Sequence, residues 1–352
     1  MYKILKTNQS EEWNNYLNKV PIRQRDIYYT PEYYLLHEIY GDGEALCFIF
    51  ENEIGLAIYP FLKNNVNALG YHLNENYYDI QGVYGYNGII SNNSTKNFLD
   101  AFYMVFNEFC QNENIIAEFT RFNPLIDNVK NSKEHLAIVA DRKTIVVDLE
   151  ENFDNIYSCY SSSNRRAIKK AAKNNLLIQI SYTDEYKKPF TDLYFETMKR
   201  VGSNQYLFFS DAYFDFIYSI KSLVQFNVIF EEQIIASSLC FENNGFLHYH
   251  LGASKAEFLN LRPNNVLFNG MIRYGIDKGY EKLHLGGGSS TDVEDSLFKF
   301  KKSFNGNELE FCIGKKVHNM EVYNEVINQW NLKNPSIKEK YRSFLLRYRE
   351  NI

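Results

Sequence analysis

Leu283-His-Leu-Gly-Gly-Gly-Ser-Ser290, followed closely by Ser296-Leu-Phe-Lys-Phe-Lys-Lys-Ser-Phe304, decides the fold of this chain. The first stretch is typical of a buried strand that ends in three glycines, which have no Cβ and let a ligand approach the backbone closely. The second stretch sets three lysines between phenylalanines, so fixed positive charge lies beside apolar surface. Together the two stretches indicate a site for an anionic or activated acyl donor.

The composition is that of an ordinary globular protein. The chain has 352 residues, of which 45% are apolar and 23% are charged. This length allows roughly two domains. The formal net charge of −5 argues against a protein whose whole surface binds nucleic acid, although it allows a local basic patch.

The cysteines and the apolar segments exclude several classes of protein. The five cysteines are far apart and form no Cys-x-x-Cys pair, so neither a zinc site nor a disulfide framework is predicted. We expect buried thiols in a reducing compartment. The N-terminus leads into polar residues and no apolar run reaches about 18 residues. We therefore expect a cytoplasmic protein with no membrane span and no bound metal. The sequence does not indicate an oligomeric state.

The order of predicted elements is the same in the two halves of the chain. Each half reads β-α-α-β-β-β-α-β with a terminal strand, and each contains a hairpin, over residues 44–62 and 227–241. We predict an α/β fold with a mixed sheet, built as a tandem duplication. The predicted domains are 1–150 and 151–316, followed by a C-terminal helical tail, 317–352.

This order of elements resembles that of the GNAT acyltransferase fold. The second half is more specifically similar to the Fem-type (FemABX) peptidoglycan aminoacyltransferases and to related GNAT-like surface-glycan acyltransferases. The resemblance extends over nearly the whole chain. The segments that carry it are Ser163–Lys170, Asp192–Gly202, His284–Gly288 and Leu297–Lys302, with Tyr84–Gly88 and Phe119–Pro124 in the first half.

The resemblance implies an enzyme that transfers an acyl or aminoacyl group onto an amine. It implies two GNAT-like domains, the first on the acceptor side and the second on the donor and catalytic side. The long helical arm of some Fem-type enzymes, to which a transfer-RNA contact is attributed, has no counterpart here because no heptad insertion interrupts the second half.

Four residues are candidates for catalysis. The resemblance places a functional lysine at Lys301, which would stabilise the donor or the developing oxyanion; a structural or surface lysine is the alternative. His250 and His284 lie on adjacent predicted strands, and a free imidazole titrates near neutral pH, so either could be a general base, although ordinary strand histidines fit the pattern too. Glu196, on a predicted helix, is a further candidate base.

The donor would bind where two neighbouring strands diverge, as in a GNAT-like sheet. We expect backbone N–H groups near Gly252 and Ala253 to hold the acyl carbonyl, and lysines of the second opening stretch to add positive charge. The alternative is that the glycines form a plain turn. The predicted donor-binding residues are Gly252, Ala253, Gly286, Gly287, Gly288, Lys299 and Lys302.

A basic helix and a first-half segment are candidates for binding the acceptor or a phosphate. The helical cations share one arc, uninterrupted by acidic residues, and either contact phosphates or form a solvated face. In the first half, an arginine at a strand end could hold a phosphate or carboxylate, or form a structural salt bridge. The residues are Arg165, Arg166, Lys169 and Lys170 in the helix, with Arg121, Tyr84 and Tyr86 in the first half.

The donor is predicted to be either aminoacyl-tRNA or acyl-CoA, with no tightly bound cofactor. Segment 254–265, where coenzyme A-dependent GNAT enzymes carry a glycine-rich pyrophosphate cradle, contains no glycine, which favours an aminoacyl donor. We predict a Fem-like transferase acting on an amine of a cell-wall or surface-glycan precursor, small or nucleotide-linked. The alternatives are an acyl-CoA-dependent N-acetyltransferase of a small amine or amino sugar, and a non-catalytic module that binds a nucleotide sugar.

Overall fold

The computed structural model describes residues 2–149, 152–292 and 294–350. The chain divides into two compact units. Unit 1 comprises residues 1–141 and 311–352, and unit 2 comprises residues 142–310.

The elements of the first half follow in the order β1 (Tyr2–Lys6), α1 (Ser10–Leu17), α2 (Pro31–Tyr40), β2 (Glu44–Asn52), β3 (Gly55–Asn65), β4 (Tyr78–Gln81), β5 (Ile90–Ser91), α3 (Lys96–Asn112), β6 (Ile115–Arg121) and β7 (Ala137–Asp148). Helix α2 has sequence-encoded ends. Thr30 Oγ1 accepts the Tyr33 N–H, Pro31 takes the first helical position, and Gly41 ends the helix in the left-handed conformation.

The elements of the second half are α4 (Phe153–Ser158), α5 (Ser162–Lys173), β8 (Leu177–Ser181), α6 (Lys187–Arg200), α7 (Asp211–Ile217), β9 (Leu223–Phe230), β10 (Gln233–Asn243), β11 (Phe246–Ser254), α8 (Pro263–Asp277), β12 (Lys282–Gly286), α9 (Ser296–Lys302), β13 (Asn307–Val317) and α10 (Met320–Lys333). Pro263 begins α8 because its missing N–H has no partner to lose at a helix start.

Unit 1 contains a sheet with the strand order β1-β2-β3-β4-β6-β13. Neighbouring strands are antiparallel except β4 and β6, which are parallel. The apolar side of α3, with Phe102 and Phe106 fully buried, covers this sheet. These aromatic residues are therefore the core face of α3.

Unit 2 contains a sheet with the strand order β8-β9-β10-β11-β12-β7. Here too the neighbours are antiparallel except for one parallel pair, β11 and β12. Helix α8 supplies Leu267 and Met271 to the core of this unit. The two units thus repeat one strand order with the same strand directions, which confirms the predicted α/β fold with a mixed sheet.

The last strand of each sheet comes from the other half of the chain. Residues 142–148 of β7 complete the sheet of unit 2, and residues 311–317 of β13 complete the sheet of unit 1. The units therefore divide after Asp141 and Glu310, whereas the sequence predicted boundaries at 150 and 316. Each boundary moves into a long strand because pairing between distant strands, which local sequence does not encode, decides where that strand belongs.

The predicted C-terminal helical tail is part of unit 1. Only α10 of this segment is a helix of more than one turn within the described residues, and Trp330 on α10 is buried in a cluster with Tyr348 and Tyr71. Arg349 forms a two-nitrogen ion pair with the buried carboxylate of Asp79, at 2.6 Å for the Nη2–Oδ1 contact. These contacts hold the C-terminal segment against the body of unit 1.

Candidate active site

The two parallel strands of unit 2 diverge at their carboxyl ends. β11 and β12 pair only at Phe246–Lys282, Leu247–Leu283 and His248–His284, and β11 then continues to Ser254 while β12 ends at Gly286. This confirms the strand gap that was predicted between them. Gly286 is left-handed, with φ of +70°, and turns the chain away from β11.

Lys301 lies at this gap. Its side chain is 5% exposed, and its Nζ donates a hydrogen bond of 2.7 Å to the carbonyl oxygen of Gly287. A Cβ on Gly286 would lie 3.7 Å from the same nitrogen. The glycine stretch and the lysine, which were predicted to act together, are thus in contact.

Burial controls the charge of the groups around Lys301. Removal from water lowers the pKa of Lys301 to about 7, and the Asp295 carboxylate offsets only part of this effect. Burial, His248 and Lys301 together hold the pKa of His284 well below its usual range. Lys301 therefore exchanges its proton near neutral pH, while His284 stays a neutral imidazole.

Helix α9 orients Lys301. This segment is helical, with Phe300 and Phe304 in edge-to-face contact at 5.3 Å between ring centroids. Asp295 begins the helix, because its Oδ1 accepts the Phe298 N–H at 2.9 Å. Hydrogen bonds from Ser289 and the Phe298 N–H lower the pKa of Asp295 to about 2.

Gly252 presents its backbone N–H to the gap. The Lys255 N–H donates to Ile235 of β10, and the Ser254 N–H donates to Thr197 Oγ1 on the other side. Because N–H groups alternate along a strand, that of Gly252 shares the side of Ser254, where β12 has departed. The same alternation directs the Ala253 N–H toward β10, so of the two predicted donors only Gly252 faces the gap.

A basic cleft of about 760 Å³ lies beside α9. Its cations come from three elements: Arg166 and Lys170 from α5, Arg262 from the turn before α8, and Lys299 from α9. Lys299 pairs with Glu294, whereas the other three have no ion pair in the part of the chain that the structure describes. The amides of Asn264 and Asn265, at the start of α8, also line this basic cleft.

The other predicted cations lie elsewhere. Arg165 Nη1 donates to the carbonyl oxygens of Ser158 and Tyr160, each at 2.5 Å, so it holds the chain before α5. Lys302 pairs with Glu308. Lys169 is exposed on α5. Among the predicted phosphate contacts on α5, Arg166 and Lys170 are therefore the two that reach the basic cleft.

The three candidate bases do not lie together. His250 Nε2 is 2.8 Å from the hydroxyl of Tyr213 on α7, and His284 Nε2 is 3.1 Å from Thr144 Oγ1. Both rings are buried. Glu196 is exposed and lines a separate cleft of about 520 Å³ with Glu232 and Lys255. His284 has an electrostatic contact with Lys301 that could couple their protons.

The corresponding gap of unit 1 is closed by its own chain. After β4, Gly82 N–H donates to Phe119 and Asn87 N–H donates to Arg121, and Asn87 then pairs with Phe122 in parallel. The segment between them contains the predicted acceptor residues Tyr84 and Tyr86. Unit 1 therefore repeats the fold without the opening.

The predicted acceptor residues of unit 1 are partly built into its structure. Arg121 Nη1 donates to Gly82 O at 2.9 Å, and its guanidinium lies 4.9 Å from the Phe119 ring centroid. Tyr86 is 8% exposed and packs edge-on against Phe311. Tyr84 is half-buried, and this burial raises its pKa.

Sequence reasoning missed two residues. Tyr249 lies at the gap, with Lys301 Nζ at 5.3 Å from its ring centroid, but no local sequence pattern distinguishes it from the flanking histidines. Arg262 enters the basic cleft because it adopts the left-handed conformation, with φ of 66°, just before α8. Its position before Pro263 predicts an extended backbone instead, so no local pattern indicated the left-handed conformation of Arg262.

The described residues contain neither a candidate membrane span nor a candidate metal site. No helix there is both long and apolar enough to cross a membrane. No group of three or more His, Cys, Asp or Glu within 2–149, 152–292 and 294–350 is arranged to hold a metal ion.

The gap, Lys301 and the basic cleft lie within a segment that matches a known family model. The model is described as "Acetyltransferase (GNAT) domain" and matches residues 161–302, which run from the start of α5 to the end of α9. Residues 161–302 are thus similar to GNAT acetyltransferase domains. The match confirms the predicted resemblance and the predicted class of enzyme, a transferase of acyl groups.

Solved structures share the fold over most of the chain. FemX matches with a TM-score of 0.67 at 16% identity, covering 92% of this chain and 99% of FemX. L-PGS from Bacillus licheniformis matches with a TM-score of 0.56 at 12% identity, covering 87% and 91%. A conserved protein of unknown function from Bacteroides thetaiotaomicron matches with a TM-score of 0.56 at 10% identity, covering 89% and 98%. No curated protein sequence matches this chain.

Proposed function

We propose that this protein is a Fem-like N-acyltransferase, which moves an aminoacyl or acyl group onto an amine of a cell-wall or surface-glycan precursor. The observation that carries the proposal is the open strand gap of unit 2, where the Gly252 N–H and the buried Lys301 face one space. A backbone donor and a cation at one gap suit a reaction in which a carbonyl oxygen gains negative charge.

The reaction needs positioning more than proton chemistry. The acceptor amine attacks the donor carbonyl carbon, and the charge that develops on the carbonyl oxygen is stabilised by the Gly252 N–H and the Lys301 ammonium. The carrier then leaves with the bonding electron pair, and the proton lost by the amine ends on the leaving atom. Alignment of two bound substrates supplies much of the rate.

The basic cleft supports a donor whose carrier contains phosphates. Arg166, Lys170 and Arg262 bring three positive charges to one opening, and Lys169 and Lys173 continue the charge along the exposed side of α5. A row of cations that extends beyond the opening suits an RNA backbone better than one pyrophosphate group. We therefore favour aminoacyl-tRNA as the donor.

The acceptor is proposed to bind through unit 1. Tyr84, Tyr86 and Arg121 are the candidate contacts, and the arginine would hold a phosphate or carboxylate of a nucleotide-linked precursor. In this proposal unit 1, whose own gap is closed, binds the acceptor and unit 2 binds the donor.

An acyl-CoA-dependent N-acetyltransferase acting on a small amine or amino sugar is the second candidate. The matched family model favours it, since GNAT domains use acyl-CoA as a co-substrate. Against it, the turn before α8 contains no glycine and Pro263 removes one N–H from the helix start. The pyrophosphate would then depend on the side chains of Arg262, Arg166 and Lys170.

The test is a transfer assay with both donors. Alanyl-tRNA and acetyl-CoA are each supplied with a nucleotide-linked muramyl pentapeptide that bears a lysine amine, and with glucosamine. We expect transfer from alanyl-tRNA to the lysine amine. The double variant Arg166→Glu with Lys170→Glu should weaken tRNA binding by at least about tenfold and flatten its salt dependence. The matched control is Lys187→Glu with Lys188→Glu on α6. Transfer from neither donor would reject the proposal.

A further inference from the structure

Tyr249 lies where the strand gap opens. It follows His248, the last residue of β11 that pairs with β12, and it is half-buried. Its ring packs against Phe268 of α8, at 5.1 Å between centroids. Tyr249 is therefore held on the side of the sheet where α8 and α9 pack, at the edge of the gap.

A β-bulge directs Tyr249 toward Gly252. Cys240 of β10 lies opposite Tyr249, while Leu239 lies opposite Leu251, so His250 is an extra residue in β11. Side chains alternate along a regular strand, but the extra residue returns Tyr249 and Gly252 to the same face. A Cβ on Gly252 would lie 1.9 Å from the Tyr249 hydroxyl oxygen. Glycine at 252 thus leaves the space that the hydroxyl occupies.

Lys301 also contacts the Tyr249 ring. Its Nζ lies 5.3 Å from the Tyr249 ring centroid, within the range of a cation–π contact. The phenol, the ammonium and the N–H that faces the gap at Gly252 therefore surround one space. Of these three groups, the Tyr249 phenol is the one that contributes a side-chain hydroxyl.

We propose that Tyr249 is a catalytic residue of the acyl transfer, donating a hydrogen bond to the carbonyl oxygen of the donor together with the Gly252 N–H. This inference rests on the proposed function. The amine nitrogen bonds to the carbonyl carbon, the carbonyl π pair moves onto the oxygen, and both donors stabilise that oxygen. The pair returns as the bond to the carrier breaks, and Tyr249 keeps its proton throughout.

The test compares Tyr249→Phe with the wild type in the transfer assay, using whichever of alanyl-tRNA and acetyl-CoA the wild type consumes. We expect kcat to fall roughly 10²-fold with KM changed less than about threefold, because the donor acts on charge that develops only in the transition state. The control is Tyr280→Phe, which removes a phenol that donates to Glu242 at 2.8 Å outside the gap. Its kcat should not change.

Gly252→Ala is the second variant. Its methyl group displaces the Tyr249 hydroxyl while leaving the phenol in the chain, so it should lose kcat as Tyr249→Phe does, even if one of the two folds poorly. An active wild type with unchanged kcat in Tyr249→Phe would overturn the inference and leave the proposed function intact. A wild type inactive with both donors would reject the proposed function, and this inference with it.

Discussion

Lys301 is an almost fully buried lysine, 5% exposed. Its Nζ donates a hydrogen bond to the carbonyl oxygen of Gly287. The same nitrogen faces the Tyr249 ring. Burial lowers its pKa to about 7, so folding disfavours the ammonium. Such a cost to the folded state is typical of a residue retained for chemistry.

The charge of Lys301 makes stability depend on pH. An unfolded lysine has a pKa near 10.4, so between about pH 7 and 10 the unfolded chain binds a proton that the folded chain does not. The free energy of unfolding of the wild type, relative to Lys301→Met, should therefore rise across this window, by at most about 1.4 kcal/mol per pH unit.

Urea unfolding at pH 7, 8 and 9 measures this difference. Lys299→Met, at an exposed lysine of the same helix, is the control and should show no trend. If the difference in the free energy of unfolding between the wild type and Lys301→Met is the same at all three pH values, folding does not lower the pKa of Lys301.

The sequence identified Lys301 and the glycines but not Tyr249. The pairing of Phe300 with Phe304, one helical turn apart, and the run of glycines are local patterns that can be found by inspection. The direction of Tyr249 depends on the bulge at His250, and a bulge is set by pairing with β10. No periodicity within β11 records it.

Helix α9 connects the glycine stretch to the lysine. Asp295 accepts hydrogen bonds from Ser289, Ser290 and the Phe298 N–H, so it joins the loop to the helix start. A Cβ on Gly288 would lie 2.5 Å from Asp295 Oδ1. The cap therefore depends on glycine at that position.

Loss of this cap should affect both stability and transfer. Asp295→Ala should lower the free energy of unfolding by about 1 kcal/mol and should lower kcat as Lys301 loses its fixed position. The pKa of Asp295 is lowered to about 2, so its contribution should be complete above about pH 4 and should disappear as pH falls from there toward 2.

Chemical unfolding and the transfer assay together check this prediction. Asn152→Ala is the matched control, because it removes the cap of α4, where Asn152 Oδ1 accepts the Asn155 N–H at 3.0 Å. It should cost similar stability and leave kcat unchanged. Equal loss of kcat in the two variants would show that Asp295 does not position Lys301.

Each unit completes its sheet with a strand from the other half of the chain. Local sequence predicted the repeated order of elements and the two hairpins, since each depends on neighbouring residues, whereas the strand gap was implied by the resemblance to the GNAT fold. It could not predict that residues 142–148 and 311–317 exchange places, because strand pairing across more than a hundred residues is decided by the assembled sheet. The two compact units divide after Asp141 and Glu310, which lie before the predicted boundaries at 150 and 316.

The C-terminal segment should stabilise unit 1. Asp79 is fully buried and Arg349 pairs with it, so Arg349→Ala would leave an uncompensated carboxylate. We expect a loss of about 3 kcal/mol in the free energy of unfolding. Denaturant titration measures it, and Arg342→Ala, whose pair with Glu339 is exposed, should change stability by less than about 0.5 kcal/mol. Equal losses in the free energy of unfolding for the two substitutions would show that the Arg349–Asp79 ion pair does not stabilise unit 1.

In the proposed function, acyl transfer takes place in the strand gap of unit 2. The most direct measurement is a crystal structure with a non-hydrolysable alanyl-RNA analogue, and with acetyl-CoA for comparison. We expect the acyl carbonyl to lie between β11 and β12, within hydrogen-bond distance of the Gly252 N–H and beside Lys301. A well-defined acyl group bound elsewhere on the protein, with the gap empty, would contradict it.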